Sequence, residues 1–392
     1  MRVLYLANIR LPTEKAHGLQ IVHMCEAFAQ TGASVTLVVP RRTNSTELRG
    51  VHDLWQHYGV DRNFTVRRLP CLDLMPYADS GSAIEKATFA IETLTFTIAL
   101  LAVLLFERAD VYYSRDALSL LLLSIVKPRR RLIFEAHTLA KSQAGIFIQR
   151  GCVRRVGLVV AVTGKLAADL QARGARHTLV AHDGIRRERF AHLPDRLTAR
   201  RELDLPPDAF IVGYVGQIHT MKMSKGVDIL IDSIGLLPDI PMSLCLVGGP
   251  NSMADVLRDR WRDRGLPDDR FLFVGQVSAA KVPICLAAFD VSTMPLPWTE
   301  HFAYYASPLK LFEYMAVGQA IVASDLLAVR EVVQSEESAL LTAPGDPQAL
   351  AAALGRLYND PALRERLGSA AKAESELYTW DARARRILDA LA

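Results

Sequence analysis

Most signatures of metal, thiol and redox chemistry are missing from this sequence. Its five cysteines, Cys25, Cys71, Cys152, Cys245 and Cys285, form no C-x-x-C pair and no His/Cys ligand spacing. They read as reduced thiols of a cytosolic protein. There is no D-x-D pair to hold a divalent cation, no Walker A loop and no G-x-S-x-G elbow. The first turn is not G-x-G-x-x-G, which disfavours a dinucleotide redox cofactor. Neither a nucleic-acid recognition motif nor an aromatic-studded basic strip occurs, so nucleic acid is not an expected partner. The opening "MRVLYLAN" reads as a strand rather than a leader.

What is present is globular. Half of the 392 residues are hydrophobic and 22% are charged, enough for two core-bearing domains. The net charge of +4 conceals an asymmetry, because residues 1–190 hold 26 Lys and Arg against 16 Asp and Glu. A basic first half suggests an anionic acceptor or an anionic membrane surface, with "KPRRRL" at 127–132 as the patch. Residues 87–106 are as long as a bilayer span, but Glu92 and four threonines interrupt them. They read as a crossover helix, with a surface-dipping helix as the alternative.

Short apolar runs alternate with amphipathic stretches along the whole chain. Strands are expected at 2–7, 34–39, 110–114, 131–135, 158–162 and 178–181. The rhythm restarts at 210–216, 243–247, 271–274, 290–294, 320–323 and 338–342. Apolar strands separated by helices argue for parallel sheets in α/β layers, and two such runs for two doubly wound domains. These are a first domain at 1–190 and a second at 191–375, joined through the proline-bearing stretch 191–208. The amphipathic helix 376–392 can pack on either and would complete the first.

Ligands of such sheets bind where strands end and helices begin. In "GYVGQIHTMKMSKGVDILIDSIGLL" a strand ends at Gly216 and a helix opens at Lys225 and Gly226. In "SPLKLFEYMAVG" Ser307 suits the N-cap, Pro308 the first helical position and Gly318 the stop. Yet Lys310 stands in the first turn, against the positive end of the dipole. One such lysine reads as solvent-facing. Two in the same domain make sense together if a diphosphate lies between the helices. Gly248, Gly249 and Gly275 end other strands, either as tight turns or to admit a base and ribose. In the first domain Gly18 opens a helix after the loop 8–17. His137 ends the strand in "LIFEAHTL", as a structural or a functional histidine.

The motifs in this order, "VGYVGQIHTMKMSKGVDILIDSI", "LVGGP", "FLFVGQVS", "FDVSTMPLP" and "SPLKLFEYMAVGQAIVASD", resemble the family 4 retaining glycosyltransferases, or glycosyl transferases group 1. "VVAVTGKLAADL" and "AHDGIRRERF" are similar to that family's late first-domain strand and interdomain turn. The resemblance implies the GT-B fold, two doubly wound Rossmann-like domains facing across a cleft. It implies transfer of a hexose from a nucleotide diphosphate sugar to a glycan, lipid-linked or other acceptor. No metal or other cofactor is implied, and the anomeric configuration is retained. A cytoplasmic protein, peripheral on the inner face of the cell membrane, would suit such an acceptor.

Roles follow position by position. Lys225 would hold the donor diphosphate, with Gly216 and Gln217 at the turn beside it. Gly248, Gly249, Gly275 and Val277 would line the nucleotide, and Glu313 would take the ribose hydroxyls. Amides around Ser307 and Leu309 would face the sugar and the distal phosphate. His137 would touch the sugar near the reacting carbon, with Gly18 and His17 on the acceptor side. Three positions depart from the pattern. Tyr305 stands at the first of the family's two glutamates, Gln217 replaces an arginine that Lys310 would compensate, and Asp183 replaces the asparagine of the interdomain turn. The same fold leaves open a nucleotide-sugar epimerase or a sugar phosphorylase, and Tyr305 and Gln217 leave open a non-catalytic nucleotide-sugar binder.

Overall fold

The computed structural model of the chain describes residues 1–13, 15–44, 48–74, 83–220 and 223–391. Residue 14, in the loop 8–17, and residues 75–82 lie outside the described residues. Two units are formed, Met1–His182 with Trp380–Ala392, and Asp183–Thr379.

The first unit is built on β1 (Arg2–Leu6), β2 (Ser34–Pro40), β3 (Thr65–Leu69), β4 (Val111–Ser114), β5 (Leu132–Ala136), β6 (Leu158–Ala161) and β7 (Thr178–Val180). All pairings are parallel, in the order β3-β2-β1-β4-β5-β6-β7. Helices cross between the strands, as parallel pairing requires. β4 and β5 are buried along their whole length, because helices cover both faces. β3, "TVRRL", has no counterpart among the expected strands. It is an edge strand with Thr65, Arg67 and Arg68 exposed, so no apolar run betrays it.

The second unit holds β8 (Phe210–Val215), β9 (His219–Thr220), β10 (Met223–Ser224), β11 (Met242–Val247), β12 (Phe271–Gly275), β13 (Val291–Met294), β14 (Ala320–Ser324) and β15 (Leu340–Thr342). Six of them form a parallel sheet in the order β12-β11-β8-β13-β14-β15, and β9 with β10 makes a short antiparallel pair. Alternation along β8 splits the core. Ile211 and Val215 join Phe289, Leu311 and Phe312 on one face, while Val212 and Tyr214 join Leu230, Trp261 and Leu354 on the other.

The expected join at 191–208 falls inside the second unit, which begins at Asp183. The reason is a buried ion pair. Arg200, on the helix Arg196–Glu202, donates from Nη2 to Asp290 Oδ2 at 2.6 Å, and the Ile211 amide donates to the same oxygen at 2.7 Å. The polar composition of this stretch thus serves packing, not a linker. The helix Trp380–Asp389 lies in the first unit, where its Trp380 ring stacks on His23 at 6.0 Å. Among the described residues no helix is long and apolar enough to cross a membrane. Glu92, on the helix Ala83–Phe106, is fully buried and pairs with Arg42 at 3.3 Å. All five cysteines are free.

Candidate functional site

In the second unit the strand order reverses beside β8, with β11 on one side and β13 on the other. Loops leaving the carboxyl ends of such strands leave a crevice at this switch point. β8, β11 and β12 run out into glycines of positive φ: Gly216 at 126°, Gly248 at 128° and Gly275 at 77°. The Gly216 amide donates to the Val247 carbonyl at 2.8 Å, and the Gly248 amide to that of Gly275 at 2.7 Å. A Cβ on Gly248 would stand 2.1 Å from the Gly216 carbonyl oxygen, so these turns pack backbone on backbone. Gly226 is equally constrained. It caps the helix Val227–Gly235 at φ 80°, and a Cβ there would meet the Pro295 carbonyl oxygen at 1.7 Å. Lys225 precedes it, its amide donating to Ile218 O at 3.0 Å, and burial lowers the pKa of its half-buried ammonium.

Lys310 meets this turn from the helix Leu309–Val317. A Cβ on Gly216 would lie 3.4 Å from its Nζ, which also sits 3.7 Å from the centroid of the Tyr214 ring. The ammonium is buried and makes no hydrogen bond among the described residues. Burial holds its pKa well below the lysine range; the charge of Lys225 pushes the same way and Glu313 opposes. Glu313, one turn on, shows the converse. Burial raises its pKa, against the pull of Arg189 and Lys310. Arg189 donates from Nη1 to Glu313 Oε1 at 3.2 Å and from Nη2 to the Ala279 carbonyl.

Ser307 does not cap this helix. Pro308 holds the cap position and no side chain accepts from the first turn. The Ser307 hydroxyl instead accepts the Asp183 amide at 2.9 Å, because that backbone donor competes for it. The amides around Leu309 are thereby left without a side-chain acceptor, as an anion site needs. Of the other expected residues, Gln217 is exposed and its carbonyl accepts from Tyr214 Oη at 2.8 Å. Gly249 is buried, accepting the Ile218 amide at 3.1 Å, and Val277 packs half-buried on the core. Tyr305 is 7% exposed in the turn His301–Tyr305, its ring 6.2 Å from that of Tyr304.

In the first unit a second cluster gathers at the corresponding switch point, between β1 and β4. Glu135 is fully buried near the end of β5 and receives donors from several elements. Arg383 Nη2 donates at 3.0 Å, Tyr5 Oη at 3.5 Å, and Gln20 and Tyr113 complete the set. His137 Nε2 lies 2.5 Å from the same carboxylate. Burial would raise the carboxyl's pKa, but Arg383, then His137 and Arg115, hold it well below the usual range. Arg115 donates to Gln20 Oε1 at 2.8 Å. His17, half-buried in the first turn of Ala16–Gln30, has its pKa lowered to about 4 by burial, Arg115, Lys15 and His137. Gly18 packs where a Cβ would stand 2.3 Å from Thr13 Cγ2.

Glu135, Arg115, Arg189 and Arg383 are absent from the residues expected to form the site. Glu135 and Arg383 carried a signal, each being a charge on an otherwise apolar strand or helix face, where burial demands a partner.

Parallel sheets of seven and six strands, in two units, define the GT-B class of glycosyltransferase folds. Sucrose-phosphate synthase from Thermosynechococcus elongatus matches with a TM-score of 0.74 at 20% identity, over 99% of this chain and 98% of that one. An Anabaena protein solved in complex with UDP-glucose matches at 0.69 and 19%, over 100% and 99%. Residues 209–360, which lie within the second unit, match the family described as Glycosyl transferases group 1. The D-inositol 3-phosphate glycosyltransferase of Streptomyces bingchenggensis is 30% identical over 230 residues, 56% of this chain and 49% of that protein. The chain spans about half the length of the curated relatives it matches.

Proposed function

We propose that this chain is a retaining glycosyltransferase that moves a hexose from a nucleotide diphosphate sugar to a glycan, lipid-linked or other acceptor, without a metal. The observation that carries the reading is the buried ammonium of Lys310, which lies against the Gly216 turn without a hydrogen-bond acceptor among the described residues. Such a charge is costly unless something neutralises it, and a diphosphate would do so. Lys225 and the uncapped helix at Leu309 supply further positive charge. Glu313 then takes the ribose hydroxyls, while Gly248, Gly249, Gly275 and Val277 border the nucleotide.

As the glycosidic bond to phosphate breaks, negative charge grows on the leaving diphosphate, and the two ammonium groups stabilise it. The anomeric carbon passes through an oxocarbenium-like state. The acceptor hydroxyl bonds to that carbon on the same face, and its proton passes to the leaving phosphate oxygen. His137 contacts the sugar from the first unit, with Gly18 and His17 on the acceptor side. The relatives' names suggest a phosphorylated polyol among acceptors to try, and the Anabaena neighbour suggests UDP-glucose among donors. An anionic membrane surface is the proposed further partner of the basic first unit.

The test is a thermal-shift panel of nucleotide sugars followed by turnover assays with and without EDTA. A donor that raises the melting temperature of the wild type but not of Lys225→Ala, with EDTA-resistant turnover, is expected. Turnover lost in EDTA and restored by magnesium, or wild-type kinetics in Lys225→Ala and Lys310→Ala, overturns the reading. Lys225→Ala should cost about 2–4 kcal/mol in kcat/KM.

A further inference from the structure

We propose that Glu135 and Arg383 are positioning residues that fix the imidazole of His137, making the C-terminal helix part of the reaction apparatus of the first unit. The proposal rests on the reading of His137 as a sugar-contacting residue. Several observations converge on one carboxylate. Glu135 accepts from Arg383, Gln20, Tyr113 and Tyr5, side chains on four different elements, and lies against His137 Nε2. A fully buried carboxylate on an apolar strand is expensive, and hydrophobic packing alone needs none. Here its charge is kept by the guanidinium of Arg383, itself 3% exposed. Because Glu135 stays ionised it accepts only, so Nε2 of His137 carries the proton and donates. The ring is thereby fixed in plane and in tautomer, and the side chain remains 22% exposed.

Arg383 is placed by more than this pair. Its Nε donates to the His182 carbonyl at 3.0 Å, and its guanidinium carbon sits 6.0 Å from the centroid of the Trp380 ring. Trp380 in turn stacks on His23, on the helix that carries His17, Gly18 and Gln20. A purely structural ion pair would require neither the histidine nor the glutamine. Their presence at the end of β5, beside Arg115 and His17, ties the pair to the side chains of the switch point.

The test uses the full chain with Glu135→Gln, Arg383→Met and Arg383→Lys. Nitrogen-15 spectra of the histidine side chains report the His137 tautomer whether or not any transfer is detected, so this arm stands if the glycosyltransferase reading fails. In the wild type His137 should be protonated at Nε2, and Glu135→Gln and Arg383→Met should blur or reverse that signature. Where turnover is measurable, both should lower kcat about 10–100-fold with donor KM within about threefold, and Arg383→Lys should recover most of it. A wild-type His137 protonated at Nδ1 alone overturns the proposal. So does unchanged kcat per folded molecule in Arg383→Met, with its melting temperature recorded on the same preparation.

Discussion

The ammonium of Lys310 rests on the ring of Tyr214, 3.7 Å from its centroid, and finds no hydrogen-bond acceptor there. Against the pull of Glu313, burial and the nearby charge of Lys225 disfavour the ammonium. Its pKa therefore falls well below 10.5 in the ligand-free fold. Between that depressed value and 10.5 the unfolded chain binds more protons than the native one, so stability rises with pH across this window. A bound diphosphate restores the charge. Nucleotide binding should take up a proton in the same window, and affinity should fall by up to about tenfold per pH unit as pH rises through it. Calorimetry in buffers of different ionisation enthalpy measures this uptake. In Lys310→Met the uptake should shrink to the share of Lys225, whose pKa burial also lowers, and nucleotide affinity should drop, while the ligand-free melting temperature holds or rises. Undiminished uptake in the variant would assign the proton to another group.

Arg189 and Glu313 should act as one unit on the nucleotide. Glu313→Ala should raise donor KM more than it lowers kcat, the sign of binding energy lost equally from ground and transition states. Burial already raises the Glu313 pKa, and Arg189 is the larger of the two charges opposing that rise. Arg189→Met should therefore move the acid limb of kcat/KM to higher pH, since only the ionised carboxylate accepts both ribose hydroxyls. A pH profile identical to wild type would detach Arg189 from the site.

Asp290 should matter for stability alone. It accepts from Arg196 at 2.6 Å, from the 3%-exposed Arg200 at 2.6 Å and from the Ile211 amide at 2.7 Å. Asp290→Ala leaves a buried guanidinium uncompensated and should cost about 3–5 kcal/mol by urea unfolding. Nucleotide affinity per folded molecule should stay within about twofold.

Membrane adhesion, the proposed role of the basic first unit, should depend less on "KPRRRL" than the sequence suggests. Lys127 donates to Glu107 O at 2.9 Å, Arg129 to Val156 O at 2.7 Å and Arg131 to Ala109 O at 3.1 Å, so three of these cations secure backbone. The helix Ala83–Phe106 meanwhile exposes Ile91, Leu94, Ile98, Leu105 and Phe106. Replacing Leu94 and Ile98 together by serine should reduce sedimentation with anionic vesicles more than Arg130→Gln does. The opposite ranking would return the role to the arginines.

Both sheets were legible because their central strands are apolar on both faces. Runs that short and that apolar, set between helical stretches, fit little besides buried parallel strands. β3 was not legible, because an edge strand need not be apolar; β9 and β10 are too short for periodicity to register. The lysines at two helix starts pointed to one turn, since each violates the dipole preference locally. Ser307 misled: a serine followed by proline suits an N-cap, but a backbone amide more than a hundred residues away claims the hydroxyl. Arg189 lay within a motif read only as a turn, and nothing local tells which residue of "RRER" reaches Glu313. Long-range pairing of this kind carries no periodic signature.

Glu135 and Arg383 are separated by 248 residues of chain, with the whole second unit threaded between them. During synthesis the carboxylate is made long before its guanidinium. At typical elongation speeds of about 5–20 residues per second, the wait is roughly 12–50 s. For that interval Glu135 has His137, Gln20 and its two tyrosines, but not the guanidinium that does most to keep it ionised. The chain's order of emergence from the ribosome thus leaves this carboxylate without its main counter-charge until the second unit has been made.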